Sequence, residues 1–427
     1  MKPLHRKVIF IAFVVIFLVT APLVVLYTAG YRYNFRYGRV QKTGILVISS
    51  SPRRAQIAIN GKIEKKTTPA RIEKILAGDY EIILVKDGYH NWQKKLPVFD
   101  NSTTFAEDVI LWKNLALEKI SDGQIMDWLE SPDQEKIAWL DGENKLVIFN
   151  TDDGKSETAS EFDPKAEVKI LAWSNTSKKL LVRSDNRFLV LDSGAAKLKE
   201  IPSGYAKMKW DIKNDNLLYG SNAKGVWQYD LFNGRVKLMS AAVDDFLLNG
   251  KYIYFLQKRV VVRQTLSNPS EKLTLANDFS CVSCSFVDKK TSKLMLLDSA
   301  SQNLFFLDPE NKDKAVSAKA KDVFWLSDNS LLFYNDFELW IFDLNKKEPE
   351  LVTRLGSPIN SALWHPLGRH LIFASDNKIQ IIELDNREMR SFTTLASTDG
   401  LTRLSLDSKG KNLFLAQKDG VFKLNIR

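Results

Sequence analysis

The sequence predicts an all-β protein: an N-terminal apolar helix, a small β-sandwich, then a seven- or eight-bladed β-propeller. Three observations carry this. Anchors at Trp128, Trp173, Trp210, Phe246, Phe286, Trp325, Trp364 and Leu406 recur every 36 to 45 residues, an average of about 40, which is the period of a four-stranded blade. The apolar runs between anchors, such as Leu331-Leu332-Phe333-Tyr334, are short, rich in β-branched or aromatic residues and ended by Asn, Asp, Gly or Lys turns, so they read as strands; a helix needs about ten uninterrupted residues. Finally, residues 8–27 form a charge-free run of twenty residues.

At about 1.5 Å per residue that run spans roughly 30 Å, the hydrocarbon thickness of a bilayer, and Pro22 within it is a tolerated kink. A cleavable signal peptide would have an apolar region of about 7–15 residues and a small-x-small site, whereas "VLYTAGYR" offers a poor one before Gly30. Residues 8–27 are therefore read as a transmembrane signal anchor whose partner is the lipid bilayer. Residues 1–7 are expected as a cytoplasmic tail and 28–427 as extracytoplasmic, because a short tail before a signal-like helix stays inside and long domains translocate largely regardless of charge. Lys2, Arg6 and Lys7 nearly balance Arg32, Arg36, Arg39 and Lys42 across the helix, which keeps an intracellular propeller sensor open as an alternative. Residues 28–42 read as a basic juxtamembrane linker touching lipid headgroups.

The net charge of +10 does not mark a nucleic-acid binder. Seven Lys or Arg and no Asp or Glu fall within residues 1–42, leaving +3 for the other 385 residues; no basic stripe with interleaved aromatics follows.

Residues 43–112 read as a small β-sandwich of about five short strands. Ser51-Pro52 breaks a first strand, Asn60-Gly61 is a strong two-residue hairpin signal, Thr67-Thr68-Pro69 is an extended loop, and Gly78-Asp79 turns into the apolar run 80–85. This order, with Gly88-Tyr89 and Trp92 behind it, resembles the PEGA domain. The family's signature tetrapeptide stands here as Pro52-Arg53-Arg54-Ala55, with its Glu and Gly replaced by two arginines. The resemblance implies a surface-associated bacterial protein with envelope or protein-contact roles, and a ligand preference altered or lost at that turn. Arg53, Arg54 and Trp92, which lies outside the propeller register, are the candidate contact residues.

Residues 113–427 hold the repeats. From Trp364 the chain turns at Pro366 and Gly368, runs through 371–374, turns at Asp376-Asn377 and again at Asp385-Asn386; the units from Trp325 and Trp128 repeat this order. The units at Phe246 and Phe286 match weakly, leaving seven or eight blades. The last unit offers three strands, and residues 115–120 are expected to supply its fourth, closing the ring without an open edge. The repeats are similar to WD-like and Tol-type propellers, through Trp364-His365-Pro366-Leu367-Gly368-Arg369.

Catalytic chemistry is sparse. No nucleophile elbow, P-loop or zinc-protease motif occurs, so no catalytic, cofactor or metal site is assigned. His365 and His370 lack a suitably spaced third ligand and read as surface or turn histidines. Cys281 and Cys284 sit in an expected strand, where they would face opposite sides about 10 Å apart; a local turn in an oxidising compartment is the route to a disulfide. Asp152-Asp153 and Asp244-Asp245 read as turn carboxylates rather than a glycosidase pair, and the repeat tryptophans as packing between blades. The expected function is non-enzymatic: a membrane-anchored extracytoplasmic binding or scaffold protein contacting an envelope protein or cell-wall glycan. The alternative is a propeller hydrolase or lyase acting on glycans or peptides, with acidic residues at the channel mouth.

Overall fold

The computed structural model describes residues 3–35, 38–194, 197–277, 281–288, 293–308, 316–327, 329–346, 348–398 and 400–427; Lys2 and Arg36, counted in the charge balance, lie outside them. Two compact units result, one of residues 1–114 with 385–393 and one of residues 115–384 with 394–427. Segment 385–393 thus leaves the expected 113–427 division.

The first unit opens with the helix Pro3–Thr28, longer at both ends than residues 8–27. Its span Arg6–Thr28 contains an 18-residue stretch of mean hydropathy 3.1, unburied, and is long and apolar enough to cross a membrane. Residues 28–42 are not a linker. Tyr31–Asn34 pairs antiparallel with the start of Arg39–Ser51, the two tyrosines of the first strand suiting an extended backbone.

Residues 43–112 contain seven strands rather than five. Arg39–Ser51 is central to one sheet, antiparallel to Ala70–Leu76 and parallel to Thr103–Ile110. The second sheet runs in the order Lys62–Thr67, Gln56–Ile59, Gly78–Val85, Trp92–Val98. Leu46, Ile48, Ile57, Ile82, Leu84 and Leu96 are fully buried between them, and period-two alternation places Trp92, Lys94, Leu96 and Val98 all inward. Asn60-Gly61, at φ 48° and 76°, makes the expected type I′ hairpin.

In the second unit, eight four-stranded antiparallel sheets are present among the described residues, at 125–161, 168–201, 207–240, 245–277, 284–319, 322–354, 359–397 and 403–425. The last sheet is completed by Glu118–Asp122, which pairs antiparallel with Gly420–Asn425. The strand starts three residues later than the 115–120 expected, and its Ile120 packs beside Val421. First strands touch between the first, second and third blades, between the fourth and fifth, and between the sixth, seventh and eighth, so first strands lie inward and later strands outward. Apolar clusters fill the spaces between blades: Trp139 and Phe149 of the first meet Phe414 and Val421 of the eighth, and Leu332 and Tyr334 of the sixth meet Trp364 and Phe373 of the seventh.

The weak match of the fourth unit has a local cause. Its central hairpin turns at Lys258-Arg259, both in the left-handed region at φ 47° and 66°, where Asn, Asp or Gly is preferred. The seventh blade makes the same turn with Asp376-Asn377, at φ 52° and 54°. Surrounding packing, not turn chemistry, fixes the fourth blade.

Candidate functional site

The arginine turn of the sandwich stands on a buried polar base. Ser50 and Thr68 hydroxyls lie 2.6 Å apart; Thr68 Oγ1 accepts the Ala55 N–H at 2.9 Å, Ser50 Oγ donates to the Pro52 carbonyl at 2.7 Å, and the Thr68 carbonyl accepts the Arg54 N–H at 2.7 Å. The Ser51–Pro52 and Thr68–Pro69 bonds are cis. Arg53 and Arg54 project into solvent from this base, without an ion pair to any described residue. Arg54 has φ 64°, the left-handed conformation that suits the glycine it replaces. Trp92, by contrast, is no contact aromatic: it is 6 % exposed and packed into the sandwich core. Its inward register with Leu96 and Val98 was visible in the sequence, and that signal outweighs its position outside the propeller period.

Lys94, on the same inward face, is buried; its Nζ donates to the Asp385 carbonyl at 2.7 Å and pairs with that carboxylate at 3.1 Å, both groups belonging to the first unit. Burial alone would raise the Asp385 carboxyl, but hydrogen bonds from Arg387 and Lys94 hold it down at about 2.

In the propeller, the repeat tryptophans join blades. Trp173 Nε1 donates to the Leu129 carbonyl and Trp210 Nε1 to the Ala172 carbonyl, each at 3.1 Å, while Trp128 Nε1 reaches Ser405 Oγ at 2.8 Å across the first and eighth blades. Inner-strand aspartates act alike: Asp127 Oδ2 accepts the Ile170 N–H and Asp245 Oδ2 the Phe286 N–H, both at 2.8 Å. Asp245 is 1 % exposed, which corrects its reading as a solvated turn residue. Lys207 lies 3.1 Å from it, and Lys209 lies 3.8 Å from it and 2.7 Å from Asp288. This inner-strand convergence is therefore mixed, two cations with two carboxylates. Asp244 accepts the Lys258 N–H at 2.7 Å, Asp153 accepts the Lys155 N–H at 3.0 Å, and Asp152 pairs with Lys409 at 2.9 Å.

An open groove of about 470 Å³ runs along Gln302, Lys319, Asn335, Phe337, Glu338 and Arg354 of the fifth and sixth blades. Phe337 is 45 % exposed at this groove. Glu338 accepts from Asn335 Nδ2 at 2.8 Å, Arg354 Nε at 2.8 Å and Trp340 Nε1 at 3.1 Å, and these donors lower its carboxyl. An apolar ring beside the Glu338–Arg354 pair, Lys319 and Asp336 can take an extended chain with mixed side chains. No local sequence pattern signals it, since its residues come from three strands and two turns.

His365 is fully buried; its Nδ1 accepts the Leu367 N–H at 3.2 Å, which makes Nε2 the donor to the Gly410 carbonyl at 2.9 Å. Desolvation lowers its pKa. Cys281 and Cys284 form a disulfide with Cα atoms 5.9 Å apart. The separated strand pair expected for them is corrected, because the strand begins only at Cys284 and a turn precedes it. Asp298, fully buried, organises that turn by accepting the Ser283 N–H at 2.9 Å, the Val282 N–H at 3.2 Å and the Ser301 hydroxyl at 2.7 Å. Desolvation would raise its carboxyl; the hydrogen bonds hold it down to about 2.

A small β-sandwich and a ring of four-stranded blades together define a propeller protein. Residues 43–109 match the PEGA domain family, and this segment is a PEGA domain. The chain is similar to the crystal structure of the C-terminal WD40 domain of Sif2, at 12 % identity and TM-score 0.53 over 72 % of this chain and 98 % of that one. It also aligns with RRP9 WD40 repeats at 11 % identity and TM-score 0.44, over 71 % and 94 % respectively. No curated protein matches the chain.

Proposed function

We propose that this protein is a membrane-anchored, extracytoplasmic binding scaffold that uses its PEGA domain and propeller to contact an envelope protein or cell-wall glycan. The observation that carries the reading is how the propeller uses its polar groups. Asp127 and Asp245 are committed to bonds between blades, and Lys207 and Lys209 pair with the carboxylates beside them, while Phe337 is exposed in an open groove. Such a surface suits recognition, whereas a hydrolase mouth needs carboxylates free to exchange protons. The unburied apolar helix supports anchoring, and the Cys281–Cys284 disulfide fits an oxidising compartment.

Protease shaving of sealed spheroplasts, with a C-terminal tag, tests this placement. Loss of the tag from intact spheroplasts is the expected result; protection until lysis would put residues 28–427 in the cytoplasm and overturn the envelope partners as well. Replacing the exposed Phe337 by serine is expected to weaken capture of the partner without changing the melting temperature.

A further inference from the structure

Where the helix meets the first sheet, three cations gather on two tyrosine rings. The Arg32 guanidinium stacks 3.5 Å from the centre of the Tyr27 ring, and its Nη1 donates to the Tyr27 and Tyr31 carbonyls at 2.8 and 2.7 Å. Lys42 lies 5.5 Å from the Tyr31 ring. Lys74 reaches within 5.7 Å of the Tyr27 ring from a different strand, Ala70–Leu76.

The position of Lys74 rests on an unusual piece of backbone. Ile75 pairs with Gly44 and Glu73 with Ile45, so Lys74 is the extra residue of a β-bulge, and its φ is 64°. A long side chain in the left-handed region costs about 1 kcal/mol or more, and bulges re-aim side chains; here the result is a third cation at the end of the helix. Residues 1–63 carry no Asp or Glu, and Glu73, which precedes Lys74 on its strand, pairs with Arg71. Tyr33 and Phe35 stack edge to face 5.0 Å apart, and Phe35 is 90 % exposed. Exposed aromatics beside cations at the end of an apolar span match the chemistry of the bilayer interface.

We propose that Arg32, Lys42 and Lys74 form a cationic collar that binds the phosphate of an anionic phospholipid in the leaflet where the helix emerges, with Tyr27 and Tyr31 as its aromatic walls. The inference rests on the membrane-anchored reading and adds a headgroup preference to it. The collar would hold the PEGA domain to the membrane surface by a second attachment besides the helix.

The test is lipid retention by the full-length protein in neutral detergent, measured by native mass spectrometry with phosphatidylglycerol, phosphatidylcholine or inorganic phosphate. Wild type is expected to retain phosphatidylglycerol over phosphatidylcholine, with inorganic phosphate neither binding alone nor displacing the lipid. Lys74→Gly, which suits the bulge backbone, should lose roughly fivefold in phosphatidylglycerol retention, the effect of one cation at a charged membrane surface. Lys74→Arg should keep the preference. Equal retention by Lys74→Gly and wild type would overturn the collar, as would wild type without a headgroup preference. Displacement by inorganic phosphate would make the site one for a soluble anion and overturn the lipid assignment. A carbonate wash of membranes separates this from the anchor: protein that resists extraction but shows no headgroup preference refutes the collar alone, and protein that washes off refutes the anchor.

Discussion

Ring closure is open to a controlled test, because two glycines stand at equivalent places in two blades. Gly420 and Gly225 each begin the third strand of a blade, at φ 152° and 153°. A Cβ on Gly420 would lie 2.1 Å from the Ser121 carbonyl oxygen, and one on Gly225 would lie 2.3 Å from that of Ser240. Alanine therefore drives the third strand away from the outer strand in both blades, with overpacking of about 1–3 kcal/mol and backbone strain of a similar size, about 3 kcal/mol together. In the third blade the damage stays local, since a short turn still tethers the outer strand Val236–Ser240. In the eighth, no covalent turn tethers the outer strand Glu118–Asp122 to its neighbour Gly420–Asn425, and its release loosens the seam where Phe149 meets Phe414 at 5.3 Å and Trp128 reaches Ser405. Those contacts add about 2 kcal/mol. An unfolding entropy of about 2.1 cal/mol/K per residue over residues 118–427 gives about 0.65 kcal/mol/K, so Gly225→Ala should lower Tm by about 5 °C and Gly420→Ala by about 8 °C. Differential scanning calorimetry of the full-length protein in detergent measures both. Equal shifts would refute the reasoning, by showing that the seam is energetically like any other outer-strand pairing.

The remaining predictions concern single sites. Arg54→Gly should stabilise the PEGA domain by about 0.5–1 kcal/mol, the left-handed penalty removed less the glycine's extra unfolded-state entropy, read as a raised urea midpoint; a lowered midpoint would mean that the Arg54 side chain holds the turn together. Asp298 has its carboxyl depressed to about 2, so it contributes about 2 kcal/mol above the unfolded carboxylate range that is lost as pH falls from about 4 towards 2. Asp298→Asn should remove that acid-side slope in urea titrations and destabilise the fifth blade at neutral pH. His365 is neutral in the fold with a lowered pKa, so its contribution is complete above about pH 6.5 and declines as pH falls below that, when the unfolded chain takes up the proton first; His365→Gln should flatten the Tm profile there. Gly410→Ala would set a Cβ 2.5 Å from His365 Nε2 at a backbone φ of 64°, and a loss of about 2–4 kcal/mol is expected in chemical denaturation.

What could be read from the sequence follows from where each feature gets its stability. The blades were legible because each repeats an aromatic anchor that packs against its neighbour, and Trp173 and Trp210 do this through the same indole–carbonyl bond. The eighth blade count was not, because Lys258-Arg259 makes a tight turn with residues that carry no turn signal. Trp92 was misjudged by comparing it with the propeller period when its own strand alternates every two residues. The Cys281–Cys284 bridge depended on a strand boundary, which local composition sets poorly. Lys74 was invisible, since its backbone is determined by a register shift against Gly44 and Ile45 that no local pattern announces. The groove at Phe337 is likewise a product of tertiary placement.

The clasp between Glu118–Asp122 and Gly420–Asn425 also sets an order of events during biosynthesis. Lys119 and Asp419, an ion pair at 3.5 Å, are 300 residues apart, so at about 5–20 residues per second the closing strand waits roughly 15–60 s for its partner to be made. During that interval it is a free edge. Three of its five residues, Glu118, Lys119 and Asp122, are charged, which discourages pairing with other nascent chains. The strand that completes the ring is thus also the one whose composition lets it remain unpaired until synthesis of the domain is nearly finished.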